Sequence, residues 1–419
     1  MGNRKNSLLA VRTAGMILLI ISLVFPGCGS ANGEALSVDT TESVDVTTGE
    51  DMAANTEETD SDGYSQEEYN PDDYDLDEES RKRLDDFNEK LYLEQMEFEE
   101  KSLEPNDFYT LIYDSDGLDQ VLGNTKEDVT YDDIRAAIDL LDTTEKVKDV
   151  YKTLADNLEK QYPTMDLRMW LKNLETMEIE FMSDVYFDSV GVDSGIYIEA
   201  SNKIILQEEL EPKPGTLEYQ IFVHEMAHPI KDASFSIGEK KFEWTFSEKP
   251  ITDYRYANEA MNSILALRSY DPDETQIAYP LTSHMYEVMI ENMDNYTLQD
   301  YVDEDIYYFI SKLNETNGDN QALKILKLIE LKCSDTKDDS VHFPQSLFYD
   351  VYDYIARMHY RNHISKDMTP EEIEKVKDDL VTRLAAGTSK NTEFDTKHFD
   401  DYLEEYCQEN GINRGQYAS

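Results

Sequence analysis

Ile221-Phe222-Val223-His224-Glu225-Met226-Ala227-His228 is the stretch on which the reading of this 419-residue chain turns. His224 and His228 stand four apart, so on a helix they project from one face and both imidazoles can reach a single metal ion. Glu225 lies one step round from His224. There it can take a proton from a water that zinc would acidify towards neutrality. Every other residue from Ile221 to Ala227 is apolar, as a helix buried beneath a cleft requires, whereas a fortuitous match would sit on a solvated face.

Working outward, the chain before this helix changes period. Gly195-Ile196-Tyr197-Ile198-Glu199, the turn Ala200-Ser201-Asn202 and the β-rich run Lys203-Ile204-Ile205-Leu206 predict a hairpin. Pro212, Pro214 and Gly215 then break the chain, and Thr216 is placed to cap the helix. Pro229 follows His228 directly, lacks an amide for the Glu225 carbonyl, and should end or kink the helix there. Ala233 to Phe246 alternates Phe235, Ile237, Phe242, Trp244 and Phe246 around Gly238, a second hairpin expected under the cleft. Residues 80–101 and 131–182 carry apolar residues at helical intervals, which predicts a helical N-terminal subdomain over 81–190. After Tyr254 the pattern is mainly helical to the end. The fold class expected is α+β, mainly helical.

Catalytic zinc normally has three protein ligands and one open position. A third histidine six residues after His228 is ruled out, because that position is Ser234. Glu259 is the alternative: it is the only acidic residue between Asp253 and Asp271, and its neighbours Ala260, Met261, Ile264 and Leu265 predict a buried helix face. A lone carboxylate on such a face wants a cationic partner. Asp253 and Glu243 are the next residues in line. His359 and His363 also stand four apart, but no acid lies between them and the Tyr and Arg around them read as a solvated helix face.

HExxH together with Asn258-Glu259-Ala260 resembles the gluzincins, metallopeptidases whose third zinc ligand is a Glu from the next helix. It looks closer still to bacterial lipoprotein zinc metallopeptidases in which that Glu opens an E-G-x-T-E segment. The similarity spans roughly 196–293. It implies a zincin-like catalytic core over 191–419, with a small antiparallel sheet, an edge strand before the HExxH helix along which an extended peptide can pair, and a helical C-terminal part. Zn2+ would be held by His224, His228 and Glu259, with Glu225 catalytic. Zincins commonly aim a Tyr or His at the oxyanion on the scissile carbonyl; Tyr279, His284 and Tyr286, in the segment Tyr279-Pro280-Leu281-Thr282-Ser283-His284-Met285-Tyr286, are the candidates. This chain departs from the pattern with Ala260 for Gly, Asn262 for Thr and Ser263 for the second acid. In gluzincins an acid at that last position supports a zinc histidine, so the role is empty here or falls to Asp253 or Asn258.

The N-terminus carries Arg4, Lys5 and Arg12, then an uncharged run to Gly27 whose apolar core fits the h-region of an export signal, short for a membrane span. Val24-Phe25-Pro26-Gly27-Cys28-Gly29-Ser30 resembles a bacterial lipobox, with Phe25 and Pro26 departing from the usual residues. That implies a signal peptide over 1–27 and lipidation at Cys28, hence a protein anchored to the extracytoplasmic face of the cell membrane. Residues 31–80 hold 18 acidic residues and no Lys or Arg, too little apolar surface to offset ordering entropy. Residues 28–80 are expected to be a disordered acidic tether.

The whole chain has 90 acidic against 38 basic residues, a net charge of −52, and the acidity is not confined to the tether. Such a surface excludes nucleic acid as a partner. Peptide or protein is the substrate class expected, and no Asp-rich loop has EF-hand spacing for calcium. Cys333 and Cys407 could pair or stay free, and no Cys cluster competes for zinc. The competing functional reading is a catalytically inactive zincin-fold envelope or adhesion lipoprotein, since a fold does not guarantee chemistry.

Overall fold

The computed structural model describes residues 126–190, 194–208, 216–237, 240–244, 254–270, 279–304, 306–336, 345–387 and 394–414, with isolated positions between 81 and 122. The leader, Cys28, the tether and Asp253 lie outside the described residues. The chain divides into residues 1–85, of which only the helical positions 81–83 are described, and residues 86–419, where everything below lies. Positions 86, 87, 90 and 93 are helical as well, in line with the spacing over 80–101.

Three helices follow: α1 (Tyr131–Leu140), α2 (Glu145–Gln161) and α3 (Arg168–Leu174). Each of the first two starts where a threonine side chain takes an otherwise unpaired amide. Thr130 caps α1 in a reciprocal pair with Asp133, and Thr144 accepts from the Val147 amide. On α2, Val147, Val150, Tyr151, Leu154 and Leu158 form one buried stripe. These helices do not keep a core of their own. α2 packs on the helix Arg255–Tyr270 and α3 on the helix Leu217–Lys231, and one hydrophobic core runs from Val129 to Cys407.

The helical reading of 131–182 fails at its end. The chain leaves α3 at Leu174 and forms β1 (Glu178–Met182). Within it the period is two: Glu178 and Glu180 turn to Lys203 and Lys90, while Ile179 and Phe181 pack against the core. Met177, which continues the helical spacing of Leu171 and Leu174, masks that change. After α4 (Asp184–Val190) come β2 (Gly195–Ile198) and β3 (Lys203–Gln207), the expected hairpin, with Ile196 opposite Ile205. The sheet is nonetheless mixed, not antiparallel, in the order β1-β3-β2, with β1 parallel to β3. Thus the strand directly before the HExxH helix, β3, is central, and the edge strands of this sheet are β1 and β2. Lys203, fully buried on β3, is tolerated because Glu178 and Glu180 both lie 3.2 Å from its ammonium.

Helix α5 (Leu217–Lys231) carries the HExxH residues. Thr216 caps it by accepting from the Tyr219 amide, as expected. The helix does not stop at His228, however. It runs on for three residues through Pro229, and the Asp232 amide closes the turn on the His228 carbonyl at 2.7 Å. Proline's missing amide costs only the bond to the Glu225 carbonyl, and Asn173 of α3 holds the rest of the turn by donating to the Pro229 and Asp232 carbonyls at 2.7 and 2.6 Å.

The second hairpin forms as expected, β4 (Ala233–Ile237) against β5 (Lys240–Trp244), with Phe235 opposite Phe242. From there the described chain is helical: α6 (Arg255–Tyr270), α7 (Pro280–Asn292), α8 (Leu298–Asp303), α9 (Ile306–Asn317), α10 (Ala322–Thr336), α11 (Tyr349–His363), α12 (Pro370–Ala386) and α13 (Lys397–Asn410). On α11 the expected solvated histidine face is only half present. His363 is exposed, but His359 is buried, with Asn292 beside it. Cys333 and Cys407 are both buried and are not joined in a disulfide. No helix among the described residues is long and apolar enough to cross a membrane.

Candidate metal centre

Two helices make the site. α5 supplies His224 and His228 from one face, and α6 packs across it and brings Glu259. The start of α6 is secured from below: the buried Glu330 carboxylate of α10 accepts the Tyr256 and Ala257 amides at 2.9 and 2.8 Å, an anion on a helix N-terminus. The apolar neighbours Ala260, Met261, Ile264 and Leu265 are all buried, as the sequence predicts. They leave Glu259 as the acid facing α5. Its Oε2 lies 3.0 Å from His224 Nε2 and 3.3 Å from His228 Nε2, and the two Nε2 atoms are 3.2 Å apart. His224, His228 and Glu259 therefore form a group that could hold a metal ion.

The donor set fits that role because both far nitrogens are accounted for. Ser263 gives its hydroxyl hydrogen to the Glu259 carbonyl at 2.8 Å, so at 2.9 Å it accepts from His224 Nδ1–H. Asp232 Oδ2 accepts from His228 Nδ1–H at 2.7 Å. Each imidazole thereby carries its proton on Nδ1 and turns an Nε2 lone pair to the common point. Asp232 is itself fixed. Asn258 and Asn262 donate to its Oδ2 at 2.9 and 3.1 Å, and Tyr301 donates to the oxygens of both amides at 3.2 and 2.8 Å. Glu199 also comes within ligand distance of His228 and Asp232, but Asp232 occupies the Nδ1 side of that histidine.

The position of the absent second acid is thus not empty. Ser263 supports His224 directly, and the charge sits instead on Asp232, four residues beyond His228, with Asn258 helping. Asp232 is the functional residue that sequence reasoning missed. Its i+4 spacing from His228 is visible in the sequence, but a helix expected to end or kink at Pro229 gives no reason to carry it back to the histidine.

Electrostatically the cluster is strained in favour of a cation. Burial disfavours charge on Glu259, yet His228 and hydrogen bonds from both histidines hold its pKa well below the ordinary carboxylate value. Burial likewise works against a charged His228, and Glu259 with Asp232 overcomes it, raising that pKa well above the usual imidazole value. Loss of a proton from His228 would therefore accompany metal binding. Glu225 is different: burial raises its pKa, opposed by the two histidines, and its carboxylate stands 4.0 Å from His224 Nε2. A carboxyl held upward in pKa beside the ligand point suits a general base.

Two residues of β2 frame Glu225. Tyr197 gives it a backbone hydrogen bond and stacks its ring on His228 at 5.6 Å. Gly195 faces its side chain so closely that a Cβ there would lie 2.9 Å from Glu225 Cγ. This edge strand therefore runs directly alongside the site.

Of the three candidates, Tyr279, which directly precedes α7, lies against His224. It takes a left-handed backbone conformation, φ 48°, uncommon for a bulky residue, and its ring lies 5.6 Å from that of His224. It is hydrogen-bonded to Arg255, whose Nε is 4.0 Å from Glu259 Oε1. His284 is engaged instead with Glu287, Nδ1 to Oε2 3.6 Å, which also pairs with Arg268. Tyr286 is fully buried, stacked on Phe309, with Glu330, Cys333 and Tyr254 as its electrostatic neighbours. The side chain of Glu243 and residue Asp253 lie outside the described residues. No protein-family model, curated protein or solved structure matches this chain, so its reading rests on the geometry of this site.

Proposed function

We propose that this chain is a zinc metallopeptidase of gluzincin type, cleaving peptide bonds beside α5. The observation that carries the proposal is the meeting of His224, His228 and Glu259 within 3.3 Å of one another, with Glu225 at 4.0 Å from His224. Two neutral imidazoles and a carboxylate suit zinc, which when bound supplies a Lewis acid that polarises water and a carbonyl. Glu225 accepts the proton of the attacking water and returns it to the leaving amine. Its raised pKa favours that second transfer. Tyr279, whose ring lies beside that of His224, donates to the carbonyl oxygen as charge develops on it. β2 is an edge strand of the sheet and runs beside the site, where an extended substrate can align with it. The acidic chain disfavours nucleic acid as a partner.

Zinc content and cleavage of a peptide library, measured for the wild type and Glu225→Gln, test this reading. Metal retained with cleavage lost by the variant supports it. Metal bound with no cleavage by either protein leaves the inactive envelope-binding reading in its place. The lipobox-like junction extends the proposal to place: Cys28 anchors the mature protein to the extracytoplasmic membrane face, and Cys28→Ser should release it with unchanged activity on a soluble peptide. A wild type recovered free, with an N-terminus beyond Cys28, removes the anchor and leaves the chemistry standing.

A further inference from the structure

Asn173 belongs to α3, a helix that contributes no ligand, yet its side chain spans the last turn of the helix that contributes two. Its amide nitrogen donates to the Pro229 carbonyl at 2.7 Å and to the Asp232 carbonyl at 2.6 Å. Asn173 is 1% exposed and Asp232 is fully buried, so if that donor is lost the Pro229 carbonyl cannot turn to water and the Asp232 carbonyl keeps the longer bond from the Tyr197 hydroxyl, at 3.3 Å. The turn needs an external holder because Pro229 has removed the amide that would otherwise close on the Glu225 carbonyl. Asn173 is fixed in its turn from the sheet. Asn202, at φ 49° in the β2–β3 turn, donates to the Asn173 carbonyl at 2.8 Å, and Tyr197 donates to Asn202 at 3.1 Å and lies over His228.

The consequence falls on Asp232. Its backbone is held by Asn173 and its carboxylate receives His228 Nδ1–H at 2.7 Å. A shift of that backbone moves the acceptor that orients the imidazole. We propose that Asn173 is a positioning residue of the metal centre: by clamping the Pro229–Asp232 turn it sets the acceptor that directs His228 Nε2 to the metal. This rests on the metal-binding part of the proposed function and not on peptide cleavage.

The test uses the full chain and two readouts independent of turnover: zinc affinity by competition with a chromophoric chelator, and the visible spectrum of the cobalt-loaded protein, which reports ligand geometry. Asn173→Ala is expected to weaken zinc binding by about 10–100-fold, the usual cost of losing support around a ligating histidine, and to change the cobalt spectrum. Asp232→Asn should do the same. The double variant should be no weaker than Asp232→Asn alone, because both changes act through one contact. Leu174→Ala, a core truncation on the same helix, should lower the melting temperature while leaving affinity and spectrum at wild-type values. Should Asn173→Ala fail to fold, Asn173→Asp keeps the volume, loses the paired donor and carries the same expectation.

A folded Asn173 variant with wild-type affinity and spectrum overturns the proposal, as does a loss that adds fully to that of Asp232→Asn. An equal loss in Leu174→Ala overturns it too, by making the effect one of stability. A wild type that binds neither zinc nor cobalt removes the metal reading and this proposal with it, whereas bound metal without cleavage leaves this proposal intact.

Discussion

Gly195→Ala separates the placement of the base from the binding of the metal. A Cβ at this position would stand 2.9 Å from Glu225 Cγ, 3.5 Å from Ile221 Cγ2 and 3.6 Å from Leu206 Cδ2. The last two are ordinary contacts, so the strain falls on Glu225. Carbon atoms prefer about 3.5–4.0 Å, so Glu225 Cγ must retreat by about 0.6–1 Å, carrying its carboxylate with it. Misplacement on that scale costs on the order of 100-fold in rate, equivalent to about 2.7 kcal/mol of barrier. The metal ligands are not touched, and on a strand alanine regains about 0.5–1 kcal/mol over glycine, against an overpacking cost of about 1–3 kcal/mol. The expected outcome is therefore a folded protein with wild-type zinc stoichiometry, a melting temperature changed by a few degrees, and kcat/KM lowered about 100-fold on a soluble peptide. Undiminished cleavage by Gly195→Ala would refute the close-approach argument. Loss of zinc together with activity would refute the separation of base from ligands.

Further expectations follow from the same contacts. Glu259→Ala removes a ligand and should weaken zinc binding by at least about 100-fold, beyond the usual range for supporting residues, with the fold retained; equal affinity by chelator competition would place the third ligand elsewhere. Zinc affinity should rise with pH, because His228, with its pKa raised by Glu259 and Asp232 against burial, must lose its proton before it can ligate; isothermal titration in buffers of different ionisation enthalpy should register proton release, and none at neutral pH would contradict the assigned cluster. In the metal-free protein the same pair stabilises within a window. The His228 contribution, present at low pH, is lost as pH rises through its raised value, and the Glu259 contribution is lost as pH falls through its lowered one. Far from the site, burial, then His363 and Arg383, lower the His359 pKa to about 4. The unfolded chain then binds the proton first on acidification, so stability should fall between about pH 6.5 and 4 by up to about 3 kcal/mol. Urea unfolding at pH 7 and 4.5 should show this loss in the wild type and a smaller one in His359→Gln.

What local sequence could determine, it did. Two histidines four apart, a glutamate beside the first, a threonine cap and an apolar surround are properties of one helix, set by 3.6-residue geometry whatever packs against it. The two hairpins were legible for the same reason, since period and turn residues are local. Glu259 was legible more indirectly, as a lone acid on an otherwise apolar face.

Tertiary structure decided the rest, because it depended on partners distant in the chain. β1 became a strand by pairing with β3, whose lysine takes its glutamates. The mixed order made β2 an edge strand and brought Gly195 against Glu225. Local propensity at Pro229 argued for a helix end or kink, and the helix runs on to Lys231, with a side chain 56 residues earlier, Asn173, donating to its last turn. That continuation returned Asp232 to His228, and the packing of α6 on α5 gave Ser263 to His224. The choice of Tyr279 over His284 and Tyr286 was likewise made by the left-handed entry to α7, which sends one side chain to the site and leaves the others to Glu287 and the core. Helix spacing determines which side chains share a face, while packing alone determines what that face meets.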